Sequence, residues 1–220
     1  MTMELALARS NMVEQQVRPW DVLDMRVLEL MEEIPREIFV PEGRSGLAYA
    51  DVEIPLGHGE SMLAPKVVGR LLQALAPVPH ELALEIGTGS GYLSACLGRL
   101  AAHVDSVERI DAFRLAARER LEHLDITNVH LRTNQVSRDW TPVRQRYDVI
   151  ACTGSLPDYD SFLEPYLAVG GRLFVVVGDP PIMQARLITR YGEQHFRTEV
   201  LFETHLKPLE GFQRTPAFVF

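Results

Sequence analysis

The stretch Leu82-Ala83-Leu84-Glu85-Ile86-Gly87-Thr88-Gly89-Ser90-Gly91 reads as an apolar strand running into three glycines spaced G-x-G-x-G. The next segment, Tyr92 to Leu100, is compatible with a helix. A second apolar strand, His103 to Val107, then runs into Glu108. Glu108 follows Gly87 by about 20 positions, the length of one βαβ unit. Such a unit builds a nucleoside pocket. Its glycines let the backbone approach a ligand, and its terminal acid accepts hydrogen bonds from ribose hydroxyls. The start of its helix turns free N–H groups toward an anion.

The glycine spacing selects among nucleosides. A dinucleotide fingerprint has its third glycine where this chain has Tyr92, and here that glycine comes one place earlier, at Gly91. Glu85 adds a carboxylate two places before the first glycine. It would repel a pyrophosphate but suit the ammonium and sulfonium of S-adenosylmethionine. The pattern therefore predicts a methyl-donor site. Gly87, Thr88, Gly89, Ser90 and Gly91 form its loop, Glu85 faces the cation, and Glu108 takes the ribose. Arg109 is expected to face solvent.

Outward from this unit, strands are expected at 82–86, 103–107, 128–132, 147–152 and 171–177. Helices are expected at 92–100, 111–123, 158–167 and about 181–190. The alternation predicts a parallel, doubly wound α/β sheet. Glu199 to Glu203 and Ala217 to Phe220 read as closing antiparallel strands. Upstream, residues 3 to 17 read as a helix stopped at Pro19, and Asp21 as the N-cap of a second helix to Glu33. Pro35 and Pro41 bracket a short segment. Residues 42–60 read as a long irregular stretch, of the kind that often carries function, and Pro65 opens a helix through Leu75. The expectation is one domain over 1–220, with 1–80 a helical extension carrying the acceptor loop and 81–220 a Rossmann-like core.

The 220 residues carry a net charge of −8, which argues against nucleic-acid binding by bulk electrostatics. No apolar run reaches the roughly 20 residues needed to span a bilayer, and Met1 to Arg9 lacks the apolar core of a signal peptide. A cytoplasmic protein without membrane partners is expected. Cys96 and Cys152 sit in apolar segments and read as buried free thiols. No histidine spacing suggests a metal site. His58, between Gly57 and Gly59, is the best histidine candidate for an acceptor loop, with a backbone-satisfied turn histidine as the alternative.

Several pieces, taken together, resemble the protein-L-isoaspartate O-methyltransferases. They are Met12-Val13-Glu14-Gln15-Gln16-Val17, Ile34-Pro35-Arg36-Glu37-Ile38-Phe39-Val40-Pro41, Leu47-Ala48-Tyr49-Ala50-Asp51 and Ile54-Pro55-Leu56-Gly57-His58-Gly59. The glycine loop, Val107-Glu108-Arg109, Tyr147-Asp148-Val149-Ile150 and Gly170-Gly171-Arg172-Leu173 continue the order. The resemblance implies a class I methyltransferase fold, S-adenosylmethionine as donor, and a peptide or protein acceptor bearing isoaspartate.

Three departures stand out. Where the family carries Thr-Ile-Ser-x-Pro-His, this chain reads Ser61-Met62-Leu63-Ala64-Pro65-Lys66. Ser61 keeps the first hydroxyl, the family's active-site serine falls on Leu63, and its histidine falls on Lys66. Where the family carries Gly-Asp-Gly, whose acid contacts the adenine amino group, this chain reads Thr133-Asn134-Gln135-Val136-Ser137. Asn134 or Gln135 would supply that acceptor through an amide oxygen. Ser61 and His58 are thus the catalytic candidates, and Gly57, Met62, Leu63 and Pro65 belong to the acceptor loop. Two rival readings remain: a methyltransferase with another acceptor, and a silent paralogue that binds the donor.

Overall fold

The computed structural model describes residues 3–213. The N-terminal segment builds α1 (Met3–Met12), which passes through a wider turn over Val13–Val17 and a tight turn over Arg18–Trp20. Asp21 then takes a left-handed conformation and pairs with Arg70 at 2.9 Å. The cap of α2 (Met25–Glu33) is therefore Asp24, not Asp21: the Arg26 backbone N–H donates to its carboxylate at 3.0 Å. Residues Arg36–Phe39 make one further tight turn between the two prolines.

The stretch expected to be irregular contains a small hairpin, β1 (Ile54–Gly57) and β2 (Glu60–Met62), followed by α3 (Pro65–Leu75). Pro65 opens α3, whose Val68, Leu71, Leu72 and Leu75 are buried against the N-terminal helices and the sheet. The core sheet comprises β3 (Leu82–Ile86), β4 (His103–Glu108), β5 (Val129–Thr133), β6 (Tyr147–Leu156), β7 (Leu167–Asp179), β8 (Ile182–Gly192) and β9 (His195–Glu203). Helices α4 (Tyr92–Leu100) and α5 (Asp111–His123) join its first strands. The strand order is β5-β4-β3-β6-β7-β8-β9. The first five strands in that order pair in parallel, while β8 is antiparallel to both neighbours. The chain moves one way from β3 through β4 to β5, then returns to the other side of β3 with β6. The crevice past the ends of β3 and β6 is thus the switch point where open α/β sheets bind ligands.

Two expected helices are absent. Residues 182–190 lie in strand β8, in which Met183 and Ala185 are buried on one face and Ile188 and Arg190 on the other. Helix-favouring residues suggested the wrong element there, and pairing on both sides of the strand overrode local propensity. Residues 158–167 hold only a tight-turn segment, Ser161–Tyr166, started by the Asp160 side chain and containing Pro165. The segment Glu199 to Glu203 lies in the closing strand β9, whereas Ala217 to Phe220 falls outside the described residues. Cys96 and Cys152 are free and buried, and burial pushes both thiols up to about 12. Among the described residues no helix is long and apolar enough to cross a membrane, and no cluster of His, Cys, Asp or Glu is arranged to hold a metal ion.

Candidate active site

Strand β3 delivers Gly87 to the switch point with φ +95°, a conformation that favours glycine. A Cβ on Gly87 would also lie 2.2 Å from Thr153 Oγ1. Thr153, in β6, sits 2.9 Å from the carbonyls of both Ile86 and Gly87 and shares its hydroxyl proton between them. The two strands of the crevice are stitched together here. Gly91 (φ +87°) does a different task. Its missing Cβ lets α5 approach, since a Cβ would lie 2.8 Å from that of Ala117.

At the end of β4, Glu108 is buried, with both carboxylate oxygens on the backbone. Gly89 N–H donates to one at 2.9 Å and Ile110 N–H to the other at 2.9 Å. This fixes the carboxylate while leaving each oxygen a further lone pair. Asn134 N–H donates to the Glu108 carbonyl at 2.9 Å, which brings Asn134 and Gln135 to the same wall. The Thr88 hydroxyl pairs with Ser106 Oγ at 2.6 Å, and the Ser90 hydroxyl accepts from Tyr92 N–H at 3.3 Å.

These residues line one cavity of ≈ 1150 Å³, open mouth included. Thr88, Gly89, Ser90, Glu108, Asn134 and Gln135 lie on one side. Ser61, Met62 and Leu63 lie on the hairpin side, and Leu206 to Glu210 complete the rim. A nucleoside donor fits this lining. The glycine loop offers close approach, a fixed acid stands at the adjacent strand end, and the Asn134–Gln135 wall is polar.

Not every expected residue reaches the cavity. Glu85 is 0 % exposed and lies behind the loop, where it accepts hydrogen bonds from Ser94 and, at 2.6 Å, from Ser106. Its side chain faces the seam between β4 and α4, so it supports the loop from outside the cavity lining. Burial, reinforced by the nearby Glu108, pushes its carboxyl up to about 8, against the two serine hydrogen bonds. His58 also lies outside the lining: it takes a left-handed backbone (φ 52°) in the hairpin turn and sets its ring edge-on to Phe113, with centroids 5.6 Å apart. Gly57 stays in that turn, and Pro65 is buried at the start of α3. Lys66 pairs with Asp51 at 2.7 Å and lies over the Trp20 ring, away from the cavity.

Sequence reasoning missed Arg36. It is 0 % exposed, donates to the carbonyls of Ala48 (2.9 Å) and Leu63 (2.7 Å), and stacks on the Tyr92 ring. It therefore ties the segment that leaves the hairpin to the start of α4. The family model for protein-L-isoaspartate(D-aspartate) O-methyltransferase matches residues 8–211.

The chain belongs to this family.

It is an S-adenosylmethionine-dependent O-methyltransferase of the isoaspartate-repair family. A Rhodopseudomonas palustris (strain HaA2) protein-L-isoaspartate O-methyltransferase 1 is 38% identical over 207 residues, covering 94% of this chain and 84% of that relative. A Marinobacter nauticus protein-L-isoaspartate O-methyltransferase 2 is 36% identical over 214 residues, covering 97% of each chain. The fold is shared with a Plasmodium falciparum chain described as a protein-L-isoaspartate O-methyltransferase and solved with S-adenosyl-L-homocysteine. That chain has a TM-score of 0.76 and 20% identity, with 92% of this chain and 98% of that one covered.

Of the residues missed from the sequence, Thr153 and the strap at 206–210 had a readable signal only in part. Thr153 stands at the end of the strand flanking the glycine strand, where the switch-point rule places ligand contacts. The strap is brought in by β9, and nothing local in its sequence marks it.

Proposed function

We propose that this chain methylates the α-carboxylate of isoaspartyl residues in flexible peptide segments, with the residues of the described cavity in the following roles. Glu108 holds the ribose hydroxyls, Asn134 and Gln135 face the adenine, and the loop from Gly87 to Ser90 carries the methionine end. Ser61, Met62 and Leu63 on the hairpin cover the acceptor. The observation that carries this reading is that the glycine loop and the hairpin line a single cavity at the switch point, the segment that leaves the hairpin held in place by Arg36.

When bound, S-adenosylmethionine supplies an electrophilic methyl group on a sulfonium that leaves as a neutral thioether. The acceptor carboxylate is already anionic at neutral pH, so no general base is required of the chain. The chain's contribution is placement and exclusion of water. Leu63 and Met62 make an apolar acceptor wall, Ser61 offers one hydroxyl to orient the carboxylate, and Glu108 fixes the donor against sliding.

Calorimetric titration of S-adenosyl-L-homocysteine into the wild type and Glu108→Ala tests the donor side. Losing hydrogen bonds to a charged acceptor is expected to weaken binding about ten-fold or more. Equal affinity in the two proteins would remove Glu108 from the site.

A further inference from the structure

Three charged side chains from three separate elements meet at the cavity rim. Glu60 Oε1, in β2, lies 2.6 Å from Arg109 Nη2 and 2.5 Å from Lys207 Nζ. Lys207 Nζ also donates to the Gly59 carbonyl at 3.3 Å. Arg109 directly follows Glu108, and all three members of the triad line the cavity. The Lys207 backbone belongs to the opposite wall. Its carbonyl accepts from Ser155 N–H at 2.9 Å, Leu209 N–H donates to the Ser155 carbonyl at 2.9 Å, and the Ser155 hydroxyl donates to the Leu206 carbonyl at 2.9 Å. The strap is thus pinned by its backbone to the end of β6, and its lysine side chain reaches back to the acceptor hairpin.

We propose that Glu60 is a positioning residue that latches the C-terminal strap to the acceptor hairpin, and that parting of this latch sets how fast the donor enters and its product leaves. The inference rests on the donor-site reading above. Its physical basis is the kind of bond involved. The side chains of Arg109, Glu60 and Lys207 are 34%, 27% and 46% exposed, so water and salt reach the triad. A partly exposed ion network is strong enough to bias a loop and weak enough to open in each turnover. A sealed pair would leave an unpaired buried charge on opening and would hold the strap shut. Glu60 is the hub: removing its charge leaves Arg109 and Lys207 as two cations with no common partner.

A latch predicts a pattern that a simple loss of contacts does not. Entry and exit cross the same rim, so weakening the latch speeds both and leaves the equilibrium affinity nearly alone. Stopped-flow binding of S-adenosyl-L-homocysteine, followed by intrinsic fluorescence, would be measured for the full chain and for Glu60→Gln, Lys207→Gln and the double variant, with Glu14→Gln as a distant surface control. Each single variant is expected to raise both association and release rates about three- to ten-fold, with Kd within about two-fold. The double variant is expected to be no faster than the faster single, because both changes open one latch. Wild-type rates should rise between 50 and 500 mM salt as screening shortens, while those of Glu60→Gln should stay nearly flat. Faster release with unchanged association, or unchanged rates in both single variants, would overturn the latch while leaving the donor site standing. Failure of the folded wild type to bind S-adenosyl-L-homocysteine would overturn both.

Discussion

Replacing Gly87 with alanine probes the crevice at its tightest point. The new methyl group meets two separate obstacles. Gly87 holds φ +95°, where an L-residue is strained by roughly 1–2 kcal/mol. The added Cβ would also stand 2.2 Å from Thr153 Oγ1, far inside contact distance, so the threonine must rotate and release the carbonyls of Ile86 and Gly87. Losing that shared hydrogen bond in a part-buried place costs about 1 kcal/mol. Together these give a destabilisation of about 2–3 kcal/mol. The companion variant Thr153→Ala separates the two terms, because it removes the clash and leaves only the backbone strain. Urea unfolding of the two single variants and the double should therefore show coupling: in the Thr153→Ala background, Gly87→Ala should cost about 1 kcal/mol less than in the wild type. A Gly87→Ala protein within about 0.5 kcal/mol of wild type, or strictly additive variants, would refute the stitching of β3 to β6 through Thr153.

Three further outcomes follow from the same geometry. Leu63→Ser restores a hydroxyl on the acceptor wall without disturbing the carbonyl held by Arg36; kcat/KM on an isoaspartyl peptide should rise several-fold, while lost packing costs about 1 kcal/mol in a urea titration. Glu85 titrates near 8 in the folded protein against a usual 4.5, so above the usual value the native state binds a proton that the unfolded chain has released. Its contribution therefore falls as pH rises toward 8, by at most about 1.4 kcal/mol per pH unit, and Glu85→Gln should show a flatter stability profile between pH 5.5 and 8 by urea midpoints. Arg36→Met leaves the buried carbonyls of Ala48 and Leu63 without their donor; unfolding measurements should show a loss of about 2 kcal/mol, and the KM for peptide should rise more than that for the donor.

The parts of the fold governed by local pattern were readable. The glycine loop, Glu108 and the alternation of strands and helices from β3 to β6 each follow from a short run of residues, and the structure places them as read. The C-terminal third was not readable to the same degree. Met183-Gln184-Ala185-Arg186-Leu187 is rich in helix formers, and only its two antiparallel partners make it a strand. The site divides along the same line. Thr88, Ser90 and Glu108 lie on the motif and reach the cavity, whereas Arg36, Thr153 and Lys207 arrive from distant parts of the chain through sheet order and strap crossing. Glu85 shows a further limit: its spacing places it at the strand end, but the direction of its side chain depends on Ser94 and Ser106 drawing it inward.

The acceptor assignment is tested most directly by incubating the full chain with methyl-labelled S-adenosylmethionine and either an isoaspartyl peptide or its aspartyl twin. The account predicts base-labile labelling of the isoaspartyl peptide alone. A folded protein that binds S-adenosyl-L-homocysteine yet labels neither peptide, or labels both equally, would contradict it.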